Sequence, residues 1–345
     1  MEYKGKRIWT TNPADADRFR QSYLDGIQNY ILRKHAEAKE ARTSDTMTKQ
    51  IEERRAAFRK MLGVDAVLGE LVSGVYQELI GEDDICHIYR LTVPVTKEIP
   101  MYALFMVPKN VEIMPLMIAQ HGGGGTPELC CDYVGKNNYS HMVQRVLERG
   151  AAVIAPQLLL WSLNESETMR KHEIPFDRRK LDHHLKRLSR SMTGLEIAGI
   201  IRCVDFASQH PKINAEKIGM IGLSYGGYFT LYTMAADPRI KTGYAAGFFY
   251  DRNVYDWSDW CYKGSACSFH DAEVAALCIP RKLCIAVGKT DSVFDYQSAI
   301  PEGKRAEKYY EMFGCRDNIR FVVWDGAHTM ENTDEGYEFF FEPLR

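Results

Sequence analysis

Apolar and polar positions divide the chain into a helical stretch, three alternating strands, and a series of short apolar runs separated by helical repeats. From about Asp15 to Lys39 and from about Asp45 to Leu62 the residues have helical character, and Phe19, Tyr23, Ile27, Tyr30 and Ile31 form one apolar stripe. The stripe reads as a face packed on the domain that follows. The alternative is a subunit contact, which would make the protein a homo-oligomer. Val72 to Leu79, Cys86 to Val95 and Met101 to Val107 then alternate as antiparallel edge strands do, with Pro94, Pro100 and Pro108 near their ends. From Leu116 onward the pattern changes. Leu116 to Ala119, Ala151 to Ala155, Lys217 to Ile221, Gly243 to Phe249, Leu283 to Val287 and Arg320 to Trp324 are short, nearly continuous apolar runs, as expected of strands buried in a parallel sheet. The prediction is an α/β fold with a mostly parallel central sheet flanked by helices. Residues 1–62 form an N-terminal helical extension, residues 63–345 the main domain, and residues from about 156 to 190 a lid-like insertion within it.

The run Ile218-Gly-Met-Ile-Gly-Leu-Ser224-Tyr-Gly-Gly-Tyr228 combines a buried strand, a Gly-x-Ser-x-Gly turn and the start of a helix. Tyr228, Leu231, Tyr232 and Ala235 continue at helical spacing until Asp237-Pro238 stops them. A serine on so tight a strand-to-helix turn has its hydroxyl lifted clear of the backbone, and a Cβ two residues to either side would clash, hence Gly222 and Gly226. Ser224 is therefore the candidate nucleophile. A serine hydroxyl needs a neighbouring base to remove its proton, and the base needs an orienting carboxylate. The strand Leu283 to Val287 exits into Gly288-Lys-Thr-Asp291, and the strand Arg320 to Trp324 exits into Asp325-Gly-Ala-His328. Asp291 and His328 are the expected carboxylate and base, with Asp251 and Asp295 as rivals for the carboxylate. All three candidates lie beyond the carboxyl ends of strands, where open parallel sheets bind ligands.

Acyl transfer also requires hydrogen-bond donors for the oxyanion, and unobstructed backbone N–H groups serve well. His121-Gly122-Gly123-Gly124-Gly125 follows an early strand and supplies them. The N–H groups of Gly123 and Tyr225 are the expected pair, with Gly124 beside them at the substrate, and His121 reads as a structural histidine. These motifs, with Ser191-Met-Thr-Gly-Leu195 ahead of the serine turn, resemble the α/β-hydrolase superfamily and, more closely, its dienelactone hydrolase and acetyl xylan esterase-like branch. The resemblance covers roughly residues 60 to 345. It implies a triad of Ser224, Asp291 and His328, an oxyanion hole of Gly123 and Tyr225, and hydrolysis of short-chain carboxylic esters, acetyl esters of sugars among them. The Ser-Tyr-Gly-Gly-Tyr spelling is also common in prolyl-oligopeptidase-like peptidases. Those normally carry a β-propeller for which a chain of 345 residues has no room, so peptidase or amidase activity stands as the alternative.

Composition narrows the partners. Charged residues make up 26% of the chain and the formal net charge is −2, which points away from nucleic acid, while the resemblance implies a small-molecule ester as the partner. Neither the N-terminus nor any later run has the apolar length of a signal peptide or a membrane span, so a soluble, cytoplasmic protein is expected. Nine scattered cysteines read as reduced thiols, and neither the adjacent Cys130 and Cys131 nor Asp182-His183-His184 has metal-site spacing, so no metal or cofactor is expected. The insertion carries Trp161, a candidate substrate contact, and a basic run of Arg178, Arg179, Lys180, Lys186, Arg187 and Arg190, read as a solvated face, the alternative being a lid whose basic edge guides an acidic sugar or another anionic ester. After the strand ending near Phe249, Tyr250, Trp257 and Trp260 offer flat rings suited to a sugar or aryl group.

Overall fold

The computed structural model describes residues 5, 16–44, 50–160, 176–254 and 257–345. The chain divides into two compact units, one holding Met1–Asp45 with Ala266–Ser268, the other Thr46–Ser265 and Phe269–Arg345. The first unit contains helix α1 (Ala16–Ser44), supported along its length by pairs one turn apart such as Arg33 with Glu37 at 2.5 Å.

The second unit is built on a nine-stranded sheet of order β1-β2-β3-β5-β4-β6-β7-β8-β9. Strands β1 (Tyr76–Glu82), β2 (Cys86–Pro94) and β3 (Pro100–Pro108) run antiparallel, and β3 pairs antiparallel with β5 (Ala152–Pro156). From β5 through β4 (Met114–Gln120), β6 (Ile213–Leu223), β7 (Ile240–Ala246), β8 (Lys282–Gly288) and β9 (Ile319–Trp324) every pairing is parallel. Strand bounds shift from the sequence reading, and at two of them the cause is plain. β1 begins at Tyr76 rather than Val72, because pairing with β2 starts at Tyr76 opposite Thr92. β7 ends at Ala246 rather than Phe249, because the chain turns at Gly247, where φ is +63°.

The parallel strands have apolar residues on both faces because both faces are covered. Leu116, Ile118, Ile218, Met220, Leu283 and Ile285 enter one core, while Met117, Ala119, Ile221, Leu223, Cys284 and Ala286 enter the other. The first core is closed by α2 (Ile51–Leu62), by the helix ahead of the serine (Met192–Ala207), by the helix after it (Tyr225–Ala236) and by Tyr296–Met312. The second is closed by Met142–Leu147 and Glu335–Phe341. Helix α2 belongs to this unit through Phe58, fully buried with its ring 5.3 Å from those of Tyr232 and Phe269. Among the described residues no helix is long and apolar enough to cross a membrane.

Register is what positions the site. Gln120 is level with Gly222, Leu223 with Ala246, and Gly288 with Trp324, so the loops leaving β4, β6, β7, β8 and β9 start from one edge of the sheet.

Candidate active site

Ser224 stands between β6 and the helix that follows, with φ 61° and ψ −121°, a conformation that non-glycine residues rarely adopt. It is pinned there by its neighbours. Its N–H donates to the Ala246 carbonyl at 2.8 Å, and its own carbonyl accepts from the Tyr228 N–H at 2.9 Å. The flanking glycines are required by close approach: a Cβ on Gly222 would lie 2.4 Å from the Gly226 carbonyl oxygen, and one on Gly226 would lie 2.0 Å from that of Gln120.

The loops after β8 and β9 bring Asp291 and His328 together, with Nδ1 of the imidazole 2.7 Å from Oδ2 of the carboxylate. The other carboxylate oxygen accepts the backbone N–H groups of Val293 at 2.7 Å and Phe294 at 3.0 Å, so Asp291 is oriented by its own loop. Because an ionised carboxylate only accepts, the His328 proton resides on Nδ1 and the Nε2 lone pair is left available. The Phe294 ring stacks near the imidazole at 5.8 Å. The rival carboxylates are engaged elsewhere. Asp251 lies 3.8 Å from the buried His270, and Asp295 caps the helix Tyr296–Met312 through the Gln297 N–H at 3.2 Å.

Ser224 and His328 line one cavity of about 480 Å³, whose wall also includes Gly122, Gly123, Gly124 and Gly125. The glycine loop is anchored by His121, which is fully buried. Its Nδ1 lies 2.9 Å from the Gly122 carbonyl and its Nε2 accepts the Leu158 N–H at 2.9 Å, tying the loop after β4 to the chain leaving β5. Burial pushes the imidazole down to about 4, so His121 is neutral, with Nδ1 the donor.

The comparisons with known proteins agree with this architecture. The prolyl oligopeptidase family matches residues 183–273, the span that contains the serine turn. No curated protein sequence matches. Among solved structures, the methylesterase BT1017 superposes with a TM-score of 0.66 at 17% identity, covering 89% of this chain and 69% of that one. A glucuronoyl esterase from Solibacter usitatus gives 0.60 at 15% identity, covering 86% and 92%. Acetyl xylan esterase 1 from Thermoanaerobacterium sp. JW/SL YS485 gives 0.58 at 12% identity, covering 86% and 94%. The chain has the α/β-hydrolase fold.

Within this α/β-hydrolase fold the aromatic residues expected at the substrate take different places. Trp257 lines the cavity and stacks on Tyr225, with ring centroids 5.0 Å apart and planes 21° apart. Trp260 is buried behind it, stacked on Tyr228 at 4.4 Å with the Arg252 guanidinium 4.5 Å above its ring, and does not reach the cavity. Tyr250 is also buried, its N–H donating to Asp271 at 3.0 Å and its ring packed edge-on to Phe294. Trp161 lies outside the described residues.

The basic run is only partly a solvated face. Arg178 is buried and forms two hydrogen bonds with Glu196, at 2.9 and 2.7 Å, and one with Asp259 at 2.8 Å. Asp259 accepts the Tyr225 hydroxyl at 3.0 Å, so this charge cluster lies directly behind the residue that follows Ser224. Lys186 also turns inward, pairing with the buried Asp182 at 2.5 Å. A run of like charges carries no sign of which member faces a carboxylate distant in sequence, so Arg178 was not separable from its neighbours. Sequence reasoning also missed Lys136, Asn137, Asn138 and Tyr139, which line the same cavity. They lie on an irregular segment without periodicity or a motif.

Proposed function

We propose that this protein is a serine carboxylic-ester hydrolase acting through an acyl-enzyme. The observation that carries the reading is the His328 Nδ1 to Asp291 bond of 2.7 Å, beside a cavity shared by His328, Ser224 and the glycine loop. Nε2 of neutral His328 takes the Ser224 hydroxyl proton as Oγ attacks the ester carbonyl carbon. The N–H groups of Gly123 and Tyr225 hold the oxyanion of the tetrahedral intermediate, with Gly124 beside them. As the intermediate collapses, the C–O bond to the alcohol breaks, and His328⁺, stabilised by Asp291, gives its proton to the leaving oxygen. Water then attacks the acyl-enzyme by the same route and releases the acid.

We assign short acyl groups, acetyl in particular, on small-molecule esters that include acetylated carbohydrates. The cavity volume and the Trp257 face support this, as do the methylesterase, glucuronoyl esterase and acetyl xylan esterase names of the structural neighbours. Nine cysteines, an odd number scattered without the spacing of a disulfide framework, support a cytoplasmic setting. Amide or peptide hydrolysis is the second reading, favoured by the prolyl oligopeptidase match over residues 183–273. Turnover of 4-nitrophenyl acetate, butyrate and octanoate, acetylated xylo-oligosaccharides and aminoacyl amides by wild type and Ser224→Ala separates the two. Ser224-dependent release of acetate is expected. Cleavage of the amides alone would replace the ester reading with the second one.

A further inference from the structure

The segment from Asn137 to Ser140 belongs to neither the triad nor the glycine loop, and its first three residues line the cavity. Its consecutive side chains reach in different directions. The Tyr139 hydroxyl accepts the Gly122 N–H at 2.8 Å, and Tyr139 itself is buried, so its ring fixes that oxygen inside the curve of the glycine loop. On either side of it, Asn138 and Ser140 hold the histidine loop. Nδ2 of Asn138 donates to the His328 carbonyl at 2.8 Å, the Asn138 carbonyl accepts the Met330 N–H at 2.8 Å, and the Ser140 hydroxyl donates to the Met330 carbonyl at 2.8 Å.

The segment is itself braced. Oδ1 of Asn137 accepts the Tyr139 N–H at 2.9 Å, and its Nδ2 donates to Asp132 at 2.6 Å and to the Leu129 carbonyl at 3.1 Å. Ser140 and His141 both have positive φ, 49° and 58°, a left-handed pair that costs energy in non-glycine residues and persists only where surrounding contacts demand it. One turn later Arg145 donates to the Glu331 carbonyl at 2.9 Å and to the Thr333 carbonyl, extending the grip along the chain beyond His328.

We infer that Asn138, Tyr139 and Ser140 are positioning residues that act as a single clamp, setting the distance between the oxyanion loop and the loop that carries His328. The two loops leave β4 and β9, which are separated in the sheet by β6, β7 and β8, so no ladder hydrogen bond joins them directly. Ser224 must be aligned with both at once, and a misplacement of about 1 Å costs on the order of a hundredfold in rate. The clamp supplies through four side-chain and backbone hydrogen bonds the rigidity that the sheet does not provide between these strands.

This inference rests on the reading of Ser224 and His328 as nucleophile and base, and the experiment separates the two. The rate at which a fluorophosphonate labels Ser224 is measured by mass spectrometry, alongside kcat and KM for 4-nitrophenyl acetate. The proteins compared are wild type, Ser224→Ala, Asn138→Ala, Tyr139→Phe, the Asn138→Ala/Tyr139→Phe double variant and Ser140→Ala. Asn138→Ala and Tyr139→Phe should each lower the labelling rate and kcat by about 10- to 100-fold with KM changed by less than about threefold. The double variant should fall no more than about threefold below the worse single variant, because either cut releases the same clamp. Ser140→Ala, which removes one hydroxyl and leaves the buried ring in place, should lose a smaller factor of about 3 to 10. It serves as the test if Tyr139→Phe or Asn138→Ala fails to fold. Labelling of wild-type Ser224 with unchanged rates in the folded variants, or losses in the double variant that multiply, would overturn the clamp alone. No labelling of Ser224 in the wild type would overturn the nucleophile assignment and the clamp with it.

Discussion

Asp291→Asn exchanges one oxygen for an amide nitrogen without changing shape, so its effect isolates the role of the carboxylate. In the native structure Oδ1 accepts two backbone N–H groups and Oδ2 accepts from His328 Nδ1. An asparagine keeps its single oxygen on the two N–H groups, which are two donors against one, and must turn its NH₂ toward the imidazole. The ring then shifts its proton to Nε2 in order to accept from that NH₂, leaving no lone pair for Ser224. A triad with the wrong tautomer loses about 10⁴ in kcat, and at 1.36 kcal/mol per decade this corresponds to about 5.4 kcal/mol of transition-state stabilisation. Global stability should change by less than about 1 kcal/mol, because the loop bonds to Val293 and Phe294 survive. The assay is 4-nitrophenyl acetate hydrolysis across pH, with urea unfolding as the control for folding. A folded Asp291→Asn protein within tenfold of wild type would refute the argument that this hydrogen bond sets the tautomer of the base.

Other expectations follow from the same geometry. Ser224→Ala should lose on the order of 10⁴ to 10⁶ in turnover with an unchanged urea midpoint, and retained esterase activity would exclude it as nucleophile. Gly226→Ala places a methyl 2.0 Å from the Gln120 carbonyl oxygen, both groups on packed backbone, and should cost about 3 kcal/mol or more in urea unfolding and disable Ser224. His121 has its folded pKa depressed to about 4 from 6.5 by burial, so the unfolded chain binds its proton first as pH falls. The stability contributed by this group is intact above about pH 6.5 and is lost toward pH 4, by about 2 kcal/mol on going from pH 7.5 to 5. His121→Gln should flatten that part of the pH dependence of unfolding free energy, and an unaltered slope would show that His121 is not the group responsible. Arg178→Met leaves Glu196 and Asp259 buried without their cation and should destabilise by about 3 to 5 kcal/mol, measured by the same unfolding experiment.

Much of the architecture was legible because it depends on local pattern. The apolar runs that became β4, β5, β6 and β8 could only be strands covered on both faces, and the glycines around Ser224 encode a turn whose clashes involve residues two positions apart. The same reasoning placed Asp291 and His328 at strand exits, since an exit is visible where an apolar run stops. It was less successful with aromatic residues: Trp257 and Trp260 are three residues apart in one irregular segment, yet one lines the cavity and the other stacks on Tyr228 behind it. Exposure in a loop has no period, so composition marked the segment without distinguishing its members.

The sequence by itself determined the elements, the parallel character of the sheet and the chemistry available at the strand ends, because each depends on residues within a few positions of one another. Only the tertiary structure decided the pairings. It chose Asp291 over Asp251 and Asp295 for His328, turned Arg178 inward to Glu196 and Asp259, and inserted Tyr139 into the glycine loop while Asn138 held the His328 carbonyl. These contacts join residues from 17 to 190 positions apart. Their geometry comes from the register of strands that bring distant loops to one edge, and no local pattern in the chain carries that information.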